Sequence, residues 1–295
     1  MTHPKIGFIG LGLMGSAMVE CLQANGYDVT VIVNRSRKSI DEALARGATE
    51  AKTSAELAAT SDIVMFCMDT SASVESRVYG DDGALAGVKP GTVVIDFGTS
   101  LPGSTKKIGA DLAKKGAVYL DAPLGRTPSH AKEGKLNIMC SGDDTAYEKV
   151  KPVLDVLGEN VFHLGPLGTG HTIKLINNFF AMTTACAMSE AFAMADSAGV
   201  PREKLYQVMA AGPLHSGMMD FIKSYAMDHK VDLAFSMANA KKDVGYYRAM
   251  AEELGARSRM SSAATETLEE AVGDGWGERM VPEMVDFLAS AFARK

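Results

Sequence analysis

Apolar positions in the first half of the chain come in short continuous runs separated by helix-like spacings. Such runs lie at 5–9, 28–33, 63–67, 92–96 and 118–121, with two further ones near 137–140 and 161–163. Each is short enough for a buried strand, and the stretches between them repeat apolar residues at three- and four-residue intervals. Strands alternating with helices predict an α/β fold with a doubly wound, mostly parallel sheet. From Thr169 onward strand signals disappear, and helical patterns are broken only at Gly199-Val-Pro201, Gly212-Pro213 and Gly273-Asp-Gly275-Trp-Gly277. The spacing predicts a first long helix over about 170–198, rich in Ala, Met and Phe and buried between domains, with Met182, Met188 and Met194 as core packing. A boundary near Gly165-Pro166-Leu167-Gly168 divides the chain into an α/β domain, 1–165, and an all-helical domain, 166–295.

The junction of the first run with its helix carries chemistry. Lys5 to Ile9 meets Gly10-Leu11-Gly12-Leu13-Met14-Gly15, which is strand, tight turn, then helix. Glycines at this spacing let the chain turn sharply, let backbone N–H groups approach a pyrophosphate, and let the helix pack closely on the strand. A plain glycine turn is the alternative. The second run ends about 20 residues beyond the glycines, where a dinucleotide places its ribose. The residue there is Asn34 rather than an acid, followed by Arg35, Ser36, Arg37 and Lys38. Guanidinium forks match a 2′-phosphate and no carboxylate opposes them, which favours NADP(H) over NAD(H); a solvated basic loop is the other reading. Ligands on such sheets lie beyond the carboxyl ends of the strands. Met68-Asp69-Thr70, Gly98-Thr99-Ser100 and the loop after Asp121 are therefore expected to line the cofactor and substrate cleft.

Gly170-His-Thr-Ile-Lys174-Leu-Ile-Asn177-Asn178 puts one amine a helical turn from two amides. In a helix, residues three and four apart share a face, so Lys174, Asn177 and Asn178 converge. Leu175, Ile176, Phe179, Phe180, Ala181 and Met182 surround them, so the trio is expected within a mostly buried helix, where polar groups need partners. Lys174 merely snorkelling from a core helix is the bland alternative.

Composition narrows the classes. A chain of 295 residues suits about two domains, and a net charge of −6 argues against a nucleic-acid protein. Cys21, Cys67, Cys140 and Cys186 form no Cys-x-x-Cys pair and no histidine cluster has metal-ligand spacing, so the thiols are read as reduced and structural and no metal is expected. No apolar run reaches the ~18 residues of a spanning helix, and the start runs directly into a strand pattern. The expectation is a cytoplasmic protein without a membrane partner. His130 and His215 are expected to be structural or superficial.

Four blocks, in order and at suitable separations, resemble the β-hydroxyacid dehydrogenase family over nearly the whole chain: Gly7-Phe-Ile-Gly-Leu-Gly-Leu-Met-Gly15, Asp121-Ala-Pro123 with Gly134-Lys-Leu-Asn-Ile-Met139, Gly165 to Asn178, and Lys242-Asp243. The resemblance implies that Lys174 is catalytic, that Asn178 assists it, and that Lys242 lies near the nicotinamide. With the residue reading above, the expected cofactor contacts are Gly10, Leu11, Gly12, Leu13, Met14, Gly15, Asn34, Arg35, Ser36, Met68, Asp69 and Thr99. The expected substrate contacts are Thr99, Leu124, Gly125, Arg126, Thr127, Lys174, Asn177 and Asn178. Assembly as a homodimer or homotetramer is implied by the resemblance. The chemistry agrees: when hydride reaches an aldehyde carbon, charge develops on oxygen, and an ammonium within reach stabilises it and supplies a proton.

Two departures bear on the substrate. Where many members have Ser-Gly-Gly after Asp-Ala-Pro-x, this chain has Gly125-Arg126-Thr127, and where they have Asp-x-Ser-Thr it has Asp96-Phe-Gly98-Thr99. Arg126 adds a fixed positive fork suited to a sulfonate, phosphate or carboxylate tail, and Gly-Arg-Thr resembles the sulfolactaldehyde reductase branch. That branch looks NAD-dependent, unlike the basic cluster here, and Ala181 stands where a serine would add an anion contact. Arg126 as a loop salt-bridge partner stays open. The expected activity is NADPH-dependent, reversible reduction of a small aldehyde with an anionic tail. The alternatives are oxidation of a 3-hydroxyacid such as hydroxyisobutyrate or serine, and a non-catalytic cofactor-binding scaffold.

Overall fold

The apolar runs up to Asp121 become strands buried on both faces, whereas the run near 161–163 lies in a largely exposed strand. The computed structural model describes residues 3–33 and 37–293. Its elements begin with β1 (Ile6–Ile9), α1 (Leu13–Ala24), β2 (Val29–Ile32), α2 (Arg37–Ala45), β3 (Thr49–Glu50), α3 (Ser54–Thr60), β4 (Ile63–Phe66), α4 (Ser71–Tyr79), α5 (Ala84–Gly87) and β5 (Val93–Asp96). They continue with α6 (Pro102–Ala113), β6 (Val118–Asp121), β7 (Leu124–Gly125), α7 (Pro128–Lys132), β8 (Leu136–Cys140), α8 (Asp144–Leu157), β9 (Gly158–His163) and α9 (Thr169–Ser197). The six strands β3-β2-β1-β4-β5-β6 form one parallel sheet in that order. A second sheet, β7-β8-β9, has β7 antiparallel and β9 parallel to β8. The two-residue strands β3 and β7 escape sequence reading, because no period shows in two positions.

Alternate side chains of the large sheet feed two apolar layers. Phe8, Val31, Met65, Ile95 and Leu120 pack with Met18 and Leu22 of α1 and Val150 and Leu154 of α8. Ile9, Ile32, Phe66, Val94 and Tyr119 face the other way, onto Leu57, Val74, Ile108 and Leu112. Each such buried side chain contributes on the order of 1.5–3 kcal/mol against the cost of ordering the chain. Thr53, Thr70 and Asp143 cap α3, α4 and α8 by accepting from the backbone N–H three residues on.

The chain divides into two compact units, Met1–Lys174 and Leu175–Lys295. This division falls inside α9, whose first turn is hydrogen-bonded to side chains of the first unit, as described below. The second unit adds α10 (Arg202–Ala210), α11 (Gly217–Asp228), α12 (Met237–Glu253), α13 (Arg259–Ala271) and α14 (Met284–Ala293). Met182, Phe192, Ile222, Met237, Val244, Leu268, Val285 and Phe287 form its core. Two expectations about α9 are corrected. Met182 and Met188 are core residues but Met194 is 55% exposed. The helix is also not mostly buried: Leu175, Asn178, Met182, Ala185 and Ser189 lie on a covered face, whereas Ile176, Asn177 and Phe180 are open. A helical period of 3.6 leaves one side of any helix uncovered unless elements pack all round it. Among the described residues no helix is long and apolar enough to cross a membrane.

Candidate active site

The turn between β1 and α1 has the backbone a pyrophosphate needs. Gly10 has φ +103°, a conformation costly for any residue with a Cβ. A Cβ on Gly15 would fall on the Gly10 carbonyl oxygen, so α1 can start this close to β1 only with glycine there. A Cβ on Gly12 would meet open space, and no side chain caps α1, so the N–H groups of its first turn face a clear approach. Leu11 is buried beneath the turn, Met14 is half-buried, and Leu13 lies 84% exposed on top of it. A large apolar side chain so open beside bare amides fits a cradle for the flat, charged length of a dinucleotide.

Of the basic cluster, Asn34, Arg35 and Ser36 lie outside the described residues. Arg37 is turned onto two acids, Nε to Asp41 Oδ1 at 2.7 Å and Nη1 to Glu50 Oε1 at 2.6 Å. Arg77, which no sequence motif marks, reaches the end of β2 from α4, with Nη2 3.4 Å from the Val33 carbonyl.

The three predicted loops follow β4, β5 and β6, adjacent strands of the sheet. Met68 and Thr99 are half-buried, and exposed Asp69 accepts a hydrogen bond from Ser73 Oγ at 2.8 Å. Beneath the loops lies a buried polar network. Asp96 and Asp121 end β5 and β6 opposite one another in register, both fully buried. Asp96 accepts from Gly98 N at 2.8 Å and Ser100 Oγ at 2.7 Å. Asp121 accepts from Ser141 Oγ at 2.6 Å, Gly168 N at 2.7 Å and His171 N at 2.7 Å, while Ser141 Oγ accepts from Gly170 N at 2.9 Å. A carboxylate at a helix N-terminus meets both the orphan N–H groups and the dipole. Tyr119 lies buried against the same two carboxylates; burial foremost, then their charge, pushes its hydroxyl pKa well up. The buried roles of Asp96 and Asp121 have one signal in the sequence, an acid ending each of two apolar strands.

After Asp121, Leu124 is buried and pairs with Ile138, and Gly125 pairs with Asn137. Arg126 has φ +76°, rare for a residue other than glycine, and its Nη1 donates to the Lys135 carbonyl at 2.7 Å and pairs with Glu159. The salt-bridge reading of Arg126 is thus the arrangement observed. Thr127 Oγ1 lies 2.7 Å from both Ser129 Oγ and His130 Nδ1. His130 therefore has a local partner, as does His215, whose Nε2 is 3.0 Å from Asp220 Oδ1.

Lys174 stands half-buried at the end of the first unit, one turn beyond His171. In the second unit the two amides separate. Asn178 is buried and donates from Nδ2 to Asp243 Oδ2 at 2.6 Å, whereas Asn177 is exposed and donates to Asn178 Oδ1 at 3.2 Å. Lys242 Nζ lies 3.0 Å from Asp243 Oδ1 and 5.5 Å from the centroid of the Tyr246 ring. Asp243, which sequence reading carried only as a neighbour of Lys242, is the buried acid that holds Asn178. Among the described residues no three His, Cys, Asp or Glu side chains are grouped to hold a metal ion.

Comparisons with known proteins agree along the chain. The family model described as the NAD binding domain of 6-phosphogluconate dehydrogenase matches residues 5–165. One described as NAD-binding of NADP-dependent 3-hydroxyisobutyrate dehydrogenase matches 168–288. The 2-(hydroxymethyl)glutarate dehydrogenase of Eubacterium barkeri is 30% identical over 274 residues, 90% of this chain and 88% of the relative. The 2-hydroxy-3-oxopropionate reductase of Escherichia coli K12 is 30% identical over 240 residues, 81% of this chain and 82% of the relative. The Mycobacterium tuberculosis 3-hydroxyisobutyrate dehydrogenase solved with L-serine superposes with a TM-score of 0.88 at 25% identity, covering 97% of this chain and 99% of that one. Sheet order, glycine turn and helical second half define an NAD(P)-dependent oxidoreductase acting on CH–OH groups. Within that class the chain belongs to the β-hydroxyacid dehydrogenase family.

Proposed function

We propose that the protein is an NADPH-dependent reductase of a small aldehyde with an anionic tail, such as a semialdehyde acid or sulfolactaldehyde, yielding a 3-hydroxyacid or hydroxysulfonate reversibly. The observation that carries this is Lys174, one turn into a helix whose start is fastened to Asp121 at the carboxyl end of β6, in the same parallel sheet whose β1 leads into the glycine turn. The backbone of Gly10 to Gly15 would hold the pyrophosphate, with Met68, Asp69 and Thr99 along the dinucleotide and Asn34, Arg35 and Ser36 at its 2′-phosphate. When bound, the reduced nicotinamide supplies hydride to the aldehyde carbon.

The chain's own residues do the rest. Lys174 Nζ hydrogen-bonds the aldehyde oxygen, stabilises the charge that develops there and delivers a proton to it. Asp243 accepts from Asn178 Nδ2, which fixes the amide so that it orients Lys174 and substrate; Lys242, tied to Asp243, flanks the nicotinamide side. Leu124, Gly125, Thr127, Thr99 and Asn177 line the substrate, and Arg126 takes the anionic tail when it exchanges Glu159 for it. The exposed Ile176, Phe180 and Val208 support assembly of the helical unit into a homodimer or homotetramer, and we place the protein in the cytoplasm.

The test is a panel of small aldehydes with carboxylate, sulfonate and phosphate tails, run with NADPH and with NADH. General acid catalysis is typically worth about 10²- to 10⁴-fold, so Lys174→Ala should lower kcat by that order while NADPH binding persists. Near-normal turnover in this variant, or a strong NADH preference in the parent, refutes the corresponding part of the reading. A second reading, oxidation of a 3-hydroxyacid as the working direction, is favoured by the dehydrogenases among the relatives; a panel in which only alcohols turn over would select it.

A further inference from the structure

We propose that His171 is a positioning residue for Lys174, the pin of a buried clamp that fixes the start of α9 against α6 and the ends of β5 and β6. The inference rests on the reading of Lys174 as proton donor. His171 is fully buried, and nothing in the chemistry above uses its ring. Its Nδ1 is 2.7 Å from Thr105 Oγ1 of α6, itself buried. Its backbone N–H is held by Asp121, and its ring sits between the two strand-end acids, Nδ1 3.9 Å from Asp121 Oδ2 and Nε2 3.7 Å from Asp96 Oδ2. Those ring distances are too long for hydrogen bonds, and Nε2 is buried without a hydrogen-bond partner.

An unmatched buried nitrogen is costly, and an apolar side chain of similar size would fill the space without that cost. What the imidazole provides and an apolar side chain cannot is a directional bond to α6. With the backbone of the same residue fastened to β6, two tethers converge on one helical position. Lys174 follows three residues later, one turn along the same rigid helix, so a rotation or slide at 171 is carried to 174 almost undiminished. Proton transfer is sensitive to such displacements; an error of about 1 Å costs on the order of 10²-fold.

The experiment places His171→Gln and Thr105→Val in the parent and in a Lys174→Ala background. It measures kcat and KM with the best aldehyde of the panel, the NADPH dissociation constant by fluorescence, and the melting temperature. Acting through Lys174, His171→Gln lowers kcat roughly 10- to 100-fold in the parent, with KM and NADPH affinity within about threefold, and changes the residual rate of Lys174→Ala by less than about twofold. Equal losses in both backgrounds, or an unchanged parent kcat, overturn the proposal and leave the Lys174 reading standing. Near-normal turnover in Lys174→Ala alone overturns that reading first. Should His171→Gln not fold, Thr105→Val, which keeps the imidazole and removes only its hydroxyl partner, decides by the same comparison.

Discussion

Replacing Gly170 with alanine tests how α9 is seated, because the intrinsic and tertiary effects have opposite signs. In a helix interior Gly→Ala ordinarily stabilises by about 1 kcal/mol. Here a Cβ would lie 2.2 Å from the Met139 carbonyl oxygen and 2.9 Å from Asp121 Oδ2. Reaching ordinary contact from 2.2 Å requires the first turn to back away by about 1.2 Å. That movement breaks the bonds from Gly168 N and His171 N to Asp121, both 2.7 Å. Hydrogen bonds to a charged group are worth about 1.5–3 kcal/mol each, so the loss is about 3–6 kcal/mol and the net about 2–5. For a unit of this size, 1 kcal/mol moves the midpoint by about 2–4 °C, which gives a fall of roughly 5–20 °C. Calorimetry reads the midpoint, and amide exchange at 168–171 reads the local opening. A melting temperature equal to the parent's or above it refutes the account of the clamp.

Two further outcomes follow from the same geometry. Burial first, and a neighbouring carboxylate second, push the Cys140 and Cys186 thiols up to about 12 from 9.0. A folded-state pKa above the unfolded one means stability fully present below pH 9 and lost as pH rises toward 12; at pH 10 each thiol removes about 1.4 kcal/mol. Urea midpoints at pH 8 and pH 10 measure this, and a Cys140→Ala, Cys186→Ala variant with the same alkaline slope as the parent would contradict it. Glu159→Gln releases Arg126 from an exposed pair worth about 0–1 kcal/mol, so KM for an anionic aldehyde should fall by up to about fivefold, and an unchanged or raised KM removes Arg126 from the substrate site.

What the sequence discloses follows from range. Strands buried on both faces appear as unbroken apolar runs, so β1, β2, β4, β5 and β6 are located to within a residue or two. The glycine turn is legible because its spacing is a local backbone requirement. Long-range pairings leave no such trace. Asp121 meets Gly168 and His171 across 47 and 50 residues, and Asn178 meets Asp243 across 65. Nothing in the spacing of Lys174, Asn177 and Asn178 tells which amide is buried; that depends on the acid of α12 that Asn178 reaches. Likewise Arg37 reads as a free cation only until Glu50, on a two-residue strand, comes beside it.

Arg126 brings the strongest conflict between local preference and tertiary structure. A non-glycine residue at φ +76° costs on the order of 1–2 kcal/mol and persists only where its surroundings over-determine it. Here the Lys135 carbonyl and Glu159 hold the same Nη1, and together they offset a cost of that size. The guanidinium is therefore a strut of the loop before it is a ligand. On the proposed function, an incoming anion competes with a carboxylate already in place rather than with water. Attraction to a carboxylate tail then largely cancels against loss of Glu159, and discrimination arises from what the ligand adds beyond it, namely further oxygens reaching the Thr127 hydroxyl and the backbone of the loop. A three-oxygen tail gains from that exchange where a two-oxygen tail merely replaces Glu159, which is how one strained arginine would set tail preference without raising affinity for anions in general.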